Sequence, residues 1–172
     1  MRAPQPASSS RCRLQPLYSS ATEEWPTPRQ FFDVLNAEFR FTLDPCATVD
    51  NAKAAQYFTR ADDGLRQRWS GSVFVNPPYG REISKWLAKA YRERHRCSVI
   101  VCLIPSRTDT KYWHEFVMHA SELRFVRGRL RFEGGQHSAP FPSVVVVFRR
   151  GSDGPPLVTT MREHRGVHRG NG

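Results

Sequence analysis

A short apolar segment that ends in two consecutive prolines constrains the fold more than any other feature of this sequence. Val73-Phe74-Val75 predicts a buried strand, because β-branched and aromatic residues favour strands. Pro77 and Pro78 lack the backbone N–H that a sheet requires, so the strand ends before them. Apolar residues then recur with helical spacing from Ile83. A strand, a rigid loop and a helix in succession predict an α/β fold that binds its ligand at the carboxyl end of the strand.

The loop between this strand and this helix has a chemistry suited to an exocyclic amine. The side-chain oxygen of Asn76 and the carbonyl oxygen of Pro77 can each accept a hydrogen bond from an NH2 group. Two such acceptors would leave the nitrogen lone pair available for attack on an electrophile. Pro77 and Pro78 hold these acceptors in place in advance, and Tyr79 offers a ring face for a planar base. A proline-stiffened turn without catalytic function is the alternative that these four residues leave open.

The composition excludes several classes of protein. The 172 residues, 39% of them hydrophobic, suffice for one domain with a packed core. No stretch approaches the roughly 18–20 apolar residues of a membrane span, and the N-terminus has no secretory segment. The four cysteines show no zinc-binding spacing, so we expect a cytoplasmic protein with reduced thiols and no metal. The net charge of +10 favours nucleic acid as a partner.

The composition of the two ends sets the predicted domain boundaries. Residues 1–20 are rich in Pro, Ser and Arg, and we interpret them as a disordered basic arm, either solvated or in contact with phosphates. Residues 151–172 are rich in Gly, Pro, Arg and His without periodicity, and we interpret them as a disordered basic tail. These ends hold more than half of the excess positive charge. Residues 21–150 are predicted to form one compact three-layer α/β domain.

Further candidate ligand-binding positions lie at the ends of predicted elements. Thr27 is a good helix N-cap and Pro28 a good first helical residue, and a helix start offers free N–H groups to a carboxylate or phosphate. Asp44, at the end of a strand in 41–47, can accept hydrogen bonds from ribose hydroxyls or an amino group. The apolar run 98–105 predicts a strand buried on both faces. Because each predicted strand stops near a proline, we expect one shared ligand-binding rim.

The remaining segments predict smaller elements. Residues 51–57 indicate a short helix. Asp63 is predicted to lie in a turn, and it is also a candidate for contact with a ligand. Residues 112–120 favour a helix, and residues 144–148 form the last predicted strand. Residues 122–132 alternate apolar and basic side chains, which predicts strands with an arginine face that either is solvated or contacts phosphate.

Together these segments resemble phage-encoded Dam-type DNA N6-adenine methyltransferases, which have the S-adenosylmethionine-dependent methyltransferase fold. The resemblance covers about residues 26–148 and rests on blocks in the same order: Thr27-Pro28 with Phe31-Phe32-Asp33, Phe41-Thr42-Leu43-Asp44-Pro45-Cys46-Ala47, Asn51-Ala52-Lys53, Asp63-Gly64-Leu65, Asn76-Pro77-Pro78-Tyr79-Gly80-Arg81, Pro105-Ser106-Arg107-Thr108-Asp109-Thr110, Gly128-Arg129-Leu130-Arg131-Phe132, and Ala139-Pro140-Phe141-Pro142-Ser143. The usual Gly-x-Gly after the first strand is absent, which leaves the cofactor contacts around 46–53 open.

The resemblance implies a fold and a function. It implies a Rossmann-like, mostly parallel sheet with a C-terminal antiparallel strand or hairpin. It implies methyl transfer from S-adenosylmethionine to a flipped adenine in double-stranded DNA, in a bacterial host cell and from a phage- or prophage-encoded gene. The expected catalytic residues are Asn76, Pro77, Pro78 and Tyr79. The expected cofactor-binding residues are Thr27, Pro28, Asp44, Pro45, Cys46, Asp63 and Asn76. The expected DNA-binding residues are Arg81, Arg107, Lys111, Arg129, Arg131 and Phe141.

Two alternatives stay open at this point. The motif at 76–79 also serves methylation of other amines, including RNA bases and protein glutamine. A non-catalytic DNA-binding protein on a methyltransferase fold belongs to a different functional class, and the intact motif argues against it. The sequence specifies neither the oligomeric state nor the methylated DNA sequence.

Overall fold

The computed structural model describes residues 25–132, 138–152 and 154–162. Within these ranges seven strands, three α-helices and one 3-10 turn follow one another. In chain order they are α1 (Arg29–Phe39), β1 (Leu43–Asp44), β2 (Gln56–Tyr57), β3 (Ser72–Val75), α2 (Ile83–Glu93), β4 (Val99–Pro105), α3 (Lys111–Glu115), the 3-10 turn (Val117–His119), β5 (Glu122–Arg127), β6 (Ser143–Arg149) and β7 (Leu157–Arg162).

The strands form a single mixed sheet in the order β2-β1-β3-β4-β6-β5-β7. The pairs β1–β2, β1–β3, β3–β4 and β5–β7 are parallel. Strand β6 runs antiparallel to both of its neighbours, β4 and β5. The predicted fold class, a mostly parallel Rossmann-like sheet with an antiparallel strand near its C-terminal end, is confirmed.

The helices α1 and α2 cover opposite faces of the sheet. Consecutive strand residues point to opposite faces. On β6, the ring of Phe148 packs against Tyr91 of α2 with the ring centroids 6.4 Å apart. The next residue, Arg149, lies 3.6 Å from the carboxylate of Glu38 on α1. A sheet between two helical layers buries both faces, which explains why β4 and residues 144–148 of β6 are buried throughout.

One edge of the sheet gathers the segments predicted to bind ligands. The parallel strands β1, β3 and β4 all end at this edge, which we call the carboxyl edge. Strand β5 runs in the same direction as β4, because both are antiparallel to β6, so the segment after Arg127 also opens here. The predicted shared rim is therefore present, and it extends to the segment that leads into β6.

Two predicted elements are wrong. No helix forms at 51–57, because the carboxylate of Asp44 accepts a hydrogen bond from the Lys53 N–H and Gln56–Tyr57 pair with β1. The second error concerns the tail from 151, where β7 pairs along its whole length with β5. The backbone of β5 would otherwise form an open sheet edge, and exposed edge residues carry little hydrophobic pattern. The predicted arm at 1–20 and the rest of the tail, 163–172, lie outside the described residues.

Thr27 does not act as the cap of the first helix. Helix α1 begins at Arg29 with Pro28 in the N-cap position, and no side chain caps it. The first helical hydrogen bond runs from the Phe32 N–H to the Pro28 carbonyl oxygen at 2.9 Å. The hydroxyl of Thr27 is thereby left for other contacts. No helix in the described part of the chain is long and apolar enough to cross a membrane.

Candidate active site

The side chain of Asn76 lies at the end of β3 with its amide held in one orientation. Its Nδ2 donates a hydrogen bond to the backbone carbonyl oxygen of Trp25, at 2.7 Å. A carbonyl accepts but cannot donate, so this contact assigns the NH2 group to Trp25 and points Oδ1 the other way. Oδ1 is buried and has no hydrogen-bond partner within residues 25–132, 138–152 and 154–162. Leaving such an acceptor unpaired costs about 1–3 kcal/mol, which marks a position where a ligand donor is expected.

The loop that contains the two prolines is anchored by hydrogen bonds on both sides, the first of them from Asn76 to Trp25. Pro77 is buried and Pro78 is half-buried. The loop then passes through Gly80, whose carbonyl oxygen accepts a hydrogen bond from the Ile83 N–H at the start of α2. The loop is therefore tied down at both ends, as the sequence predicts, and little ordering is needed for ligand binding.

Tyr79 is more enclosed than the sequence suggests. Its side chain is 5% exposed, and its hydroxyl donates to the Leu103 carbonyl oxygen at 3.2 Å. Burial raises the pKa of the phenol well above its ordinary value, so the hydroxyl stays protonated. Phe141 and Phe132 stand edge-on to the ring, with centroids 5.4 and 6.1 Å away. The expected open ring face is therefore covered in this structure.

Trp25, Tyr79, Phe132 and Phe141 form what we call the aromatic cluster. Each phenylalanine contacts both Tyr79 and Trp25, and the Trp25 centroid lies 5.4 Å from Phe132 and 5.2 Å from Phe141. Phe141 is half-buried, and its described contacts are to the other cluster members. The predicted DNA contact of Phe141 stays a prediction, and in this structure its ring packs against Trp25, Tyr79 and Phe132.

A small cleft beside Asn76 gathers most of the residues predicted to bind the cofactor. It is lined by Pro26, Thr27, Asp44, Cys46, Asn51, Lys53, Phe74 and Asn76. The hydroxyl of Thr27 is buried there without a hydrogen-bond partner. Burial raises the pKa of the Cys46 thiol well above its ordinary value, so this thiol stays neutral. The predicted grouping of Thr27, Asp44, Cys46 and Asn76 is thus present in one place.

The carboxylate of Asp44 is the principal titratable group of the cleft. It is 4% exposed, and it accepts hydrogen bonds from the backbone N–H groups of Lys53 at 3.1 Å and Cys46 at 3.4 Å. Burial raises the pKa of Asp44 to about 6, although these two N–H groups and the charge of Lys53 act in the opposite direction. Asp44 can therefore change its charge near neutral pH.

The donors and acceptors of the cleft fit S-adenosylmethionine. This cofactor carries an amino group, a carboxylate and ribose hydroxyls. A buried carboxylate suits the amino group or the hydroxyls, and the unpaired Thr27 hydroxyl offers a further donor and acceptor. The side chains of Phe74 and Pro26 supply apolar surface. Within the described ranges no group of three or more His, Cys, Asp or Glu side chains could hold a metal ion.

Asp63 does not line the cleft. It is exposed at a turn, where its φ is 51°. The next residue, Gly64, carries the structural role, because a Cβ there would lie 1.9 Å from the Pro45 carbonyl oxygen. The Gly64 carbonyl oxygen also accepts a hydrogen bond from Trp69 Nε1 at 2.9 Å. This turn therefore packs against the segment that follows β1, and the predicted cofactor contact of Asp63 stays a prediction for a residue outside the cleft lining.

Sequence reasoning missed several residues of the site. Trp25 supplies the carbonyl that orients Asn76, and its position directly before Pro26-Thr27-Pro28 was the available signal. Asn51 and Lys53 line the cleft although they were assigned to a helix. Phe74 of β3 also lines the cleft. The sequence pattern of a buried strand does not distinguish a residue that lines a cleft from one that packs in the core.

The predicted DNA-binding arginines are exposed around the carboxyl edge. Arg81 follows the loop after β3, Arg107 follows β4, and Arg129 and Arg131 follow β5; all four are exposed. Lys111 is also exposed, and its ammonium lies 3.4 Å from the Glu115 carboxylate. Arg124, in contrast, pairs with acidic side chains on the sheet face covered by α1. The arginine-rich segment thus divides into one structural and several solvent-facing residues.

Comparisons with known proteins agree with this geometry. A model of the family described as DNA N-6-adenine-methyltransferase (Dam) matches residues 16–171. The chain is 40% identical over 65 residues to the "Putative methyltransferase YfdM" of Escherichia coli (strain K12), a match that covers 33% of this chain and 71% of that protein. It is 27% identical over 105 residues to the "DNA N-6-adenine-methyltransferase" of Haemophilus phage HP1 (strain HP1c1), covering 59% of this chain and 61% of the phage protein.

Among solved structures, a predicted O-methyltransferase, protein Atu636 from Agrobacterium tumefaciens, is similar with a TM-score of 0.36 and 15% identity. The match covers 83% of this chain and 69% of that chain.

Proposed function

This chain belongs to the Dam family of DNA N-6-adenine-methyltransferases, and we propose that it transfers a methyl group from S-adenosylmethionine to the N6 amine of an adenine in double-stranded DNA. Methyl transfer is the activity of the family. The observation that carries the acceptor assignment is the buried and unpartnered Oδ1 of Asn76, next to a polar cleft at the carboxyl edge. A primary amine on a base is the donor that this acceptor fits.

Asn76 and Pro77 are proposed to orient the amine. Oδ1 of Asn76 and the carbonyl oxygen of Pro77 would each accept one N–H, so that the nitrogen lone pair points away from both. The bond between Asn76 Nδ2 and the Trp25 carbonyl oxygen prevents the amide from rotating. Because the acceptors are set before the base arrives, the reaction needs little reorganisation of the protein.

The cleft beside Asn76 is proposed to bind the methyl donor. When bound, S-adenosylmethionine supplies a methyl group on a positively charged sulfur, which leaves as a neutral thioether. Asp44 would accept hydrogen bonds from the hydroxyl or amino groups of this cofactor, and Thr27 would bind its other polar end. After transfer, the methylated amine returns to neutrality by losing one proton to solvent.

DNA binding is proposed to occur across the carboxyl edge. A paired adenine hides its amine inside the duplex, so the base must leave the stack to reach Asn76. The exposed Arg81, Arg107 and Arg129 surround the site and carry the charge that phosphates require. Phe141 must move for the base to reach Tyr79, because its ring now contacts that side chain.

The substitution Asn76→Ala tests this assignment. We expect transfer of labelled methyl groups to unmethylated DNA to fall by about 10²–10³-fold, the size typical of removing a preorganised hydrogen-bonding group. The thermal unfolding midpoint should change little, which separates a loss of catalysis from a loss of folding. Gln30→Ala, which removes an exposed amide on α1, is the matched control and should keep full activity.

Mapping of the modified bases in the product then identifies the acceptor. N6-methyladenine in the wild-type product, and its absence with Asn76→Ala, would support the proposal. Methylation of cytosine, RNA or protein glutamine instead would contradict the acceptor assignment, and unchanged turnover in Asn76→Ala would remove the catalytic assignment.

A further inference from the structure

The geometry points to Trp25 as a second residue that contacts the methylated base. Its indole N–H would donate a hydrogen bond to the ring nitrogen next to the methylated amine. This inference rests on the proposed function and assigns a specificity role to a residue outside the motif at 76–79. It follows from the contacts of Trp25, from the space that Phe141 fills, and from the chemistry of the base.

Trp25 and Asn76 together present one unpaired donor and one unpaired acceptor. Their contact is the 2.7 Å hydrogen bond from Asn76 Nδ2 to the Trp25 carbonyl oxygen. Asn76 Oδ1 and Trp25 Nε1 are both shielded from solvent, and neither has a hydrogen-bond partner among the residues that the structure describes. Trp69 provides a contrast, because its Nε1 donates to the Gly64 carbonyl oxygen at 2.9 Å. The fold satisfies the indole of Trp69, whereas the indole of Trp25 has no partner in the described part of the chain, an arrangement that is unfavourable unless a ligand supplies an acceptor.

Adenine offers the complementary pair of groups. Its N6 amine donates hydrogen bonds, and the ring nitrogens N1 and N7 on either side of the amine only accept them. A residue pair with one acceptor for the amine and one donor for a ring nitrogen would therefore recognise the amine together with its neighbour. Discrimination of this kind is strong, because a base that lacks the matching group leaves a buried polar atom unpaired.

The aromatic cluster shows where the base would enter. The half-buried ring of Phe141 contacts Trp25 at 5.2 Å and Tyr79 at 5.4 Å between centroids. A six-membered aromatic ring therefore already bridges these two side chains. A planar base that replaces the Phe141 ring would contact both Tyr79 and Trp25, and Trp25 is itself hydrogen-bonded to Asn76.

The substitution Trp25→Phe provides the test, because it removes the indole N–H while it keeps the backbone carbonyl and an aromatic ring. The substrates are duplex oligonucleotides that carry the target site mapped in DNA from expressing cells, with adenine, 1-deazaadenine or 7-deazaadenine at the methylated position. For the wild type we expect kcat/KM to fall about tenfold with one of the two analogues, the effect of one lost hydrogen bond. Trp25→Phe should lose about tenfold with adenine and nothing further with that analogue.

The controls separate this inference from the proposed function. Trp113→Phe, at a buried tryptophan on α3, should behave as the wild type with all three bases. Affinity for S-adenosylmethionine should be the same in all variants. Two outcomes would overturn the role of Trp25 and leave the proposed function standing. One is full activity of Trp25→Phe on adenine, and the other is a loss with the analogue that is as large in Trp25→Phe as in the wild type. A wild type that methylates no adenine site would remove both.

A spectroscopic measurement covers the case in which Trp25→Phe does not fold. In the wild type, the indole N–H resonance of Trp25 should move downfield when the adenine oligonucleotide binds in the presence of S-adenosylhomocysteine. The shift should be absent with the deaza analogue that lacks the paired nitrogen. An equal shift with all three oligonucleotides would overturn the inference.

Discussion

The carboxylate of Asp44 accepts a hydrogen bond from the backbone N–H of Lys53 at 3.1 Å, and this contact closes the loop after β1. The Cys46 N–H donates to the same carboxylate at 3.4 Å. The Asp44 side chain thus organises the turn after β1, a turn that contains no Gly-x-Gly. Because Asp44 also lines the proposed cofactor cleft, its protonation state affects both ligand binding and folding.

Cofactor affinity is expected to rise with pH through about 6. Burial raises the pKa of Asp44 to about 6, so the side chain is neutral below that value and charged above it. The charged form accepts hydrogen bonds from amino and hydroxyl groups more strongly. Isothermal titration with S-adenosylmethionine between about pH 5 and 8 should show the increase, and Asp44→Asn should bind more weakly without it. The same pH dependence in Asp44→Asn would contradict the assignment.

In the protein without cofactor, the contribution of Asp44 to folding stability should fall as pH rises, whereas cofactor affinity increases. The pKa of Asp44 is higher in the folded state than its ordinary value of 3.8. Its contribution to stability is therefore fully present below about pH 4 and is lost as pH rises through about 6. Urea unfolding over this pH range gives the free energy of unfolding of the wild type and of Asp44→Asn. As pH rises, the variant should become increasingly stable relative to the wild type.

Gly64→Ala should damage the cofactor cleft from behind. A Cβ at this position would lie 1.9 Å from the Pro45 carbonyl oxygen, so the backbone next to Asp44 must move. We expect a loss of about 1–3 kcal/mol in the free energy of unfolding and a fall of at least tenfold in cofactor affinity. Gly128→Ala is the control, because a Cβ there meets nothing within 4 Å and strains only a positive φ. It should cost stability while cofactor affinity is kept.

Arg124 joins β5 to α1, and its removal should destabilise the fold. Its guanidinium donates two hydrogen bonds to Glu38, at 2.6 and 2.8 Å, and further ones to Glu122. These bonds lower the pKa of Glu38. Burial raises the pKa of Glu122, but its hydrogen bonds to Arg124 and Arg149 outweigh burial and lower it overall. At pH 7 we expect Arg124→Met to cost about 1–2 kcal/mol.

The pH dependence identifies this ion pair as the cause. Lowered carboxylate pKa values add stability above the ordinary value of 4.5, and this stability is lost as pH falls through the folded-state values. The difference between wild type and Arg124→Met, measured by urea unfolding, should therefore shrink in acid. Lys85→Met, which removes the exposed pair with Glu82, should change stability by no more than about 0.5 kcal/mol.

Arg129 and Arg131 should affect DNA binding through phosphate contacts. Both are exposed after β5 at the carboxyl edge. Substituting either by Ala should weaken binding to all sequences and reduce the slope of log K against log salt by about one. Arg96, exposed where the chain leaves α2 for the start of β4, lies at the opposite edge, and Arg96→Ala should leave the slope unchanged. Fluorescence anisotropy at several salt concentrations measures these slopes.

The sequence by itself determined where the site lies and the chemistry it offers. Strand β3 ends at Val75, just before Asn76 and the two prolines, and strand β4 ends at Pro105, because proline cannot donate to a sheet and short apolar runs have few other buried conformations. Helix α2 begins at Ile83, where the apolar spacing changes to the helical period. These are local properties, and they were sufficient to predict a three-layer α/β domain and the shared rim, whereas the mostly parallel sheet was implied by the family resemblance.

Only the tertiary structure decided which groups meet at that rim. The bond between Asn76 and the Trp25 carbonyl joins residues 51 positions apart, and the pairing of Arg124 with Glu38 joins residues 86 apart. Strand β7 forms because β5 offers an unpaired edge, although its own residues carry little hydrophobic pattern. Tyr79 is covered because Phe132 and Phe141 return to it from later in the chain. Local sequence specifies what a segment can form, whereas its partner depends on how distant segments pack together.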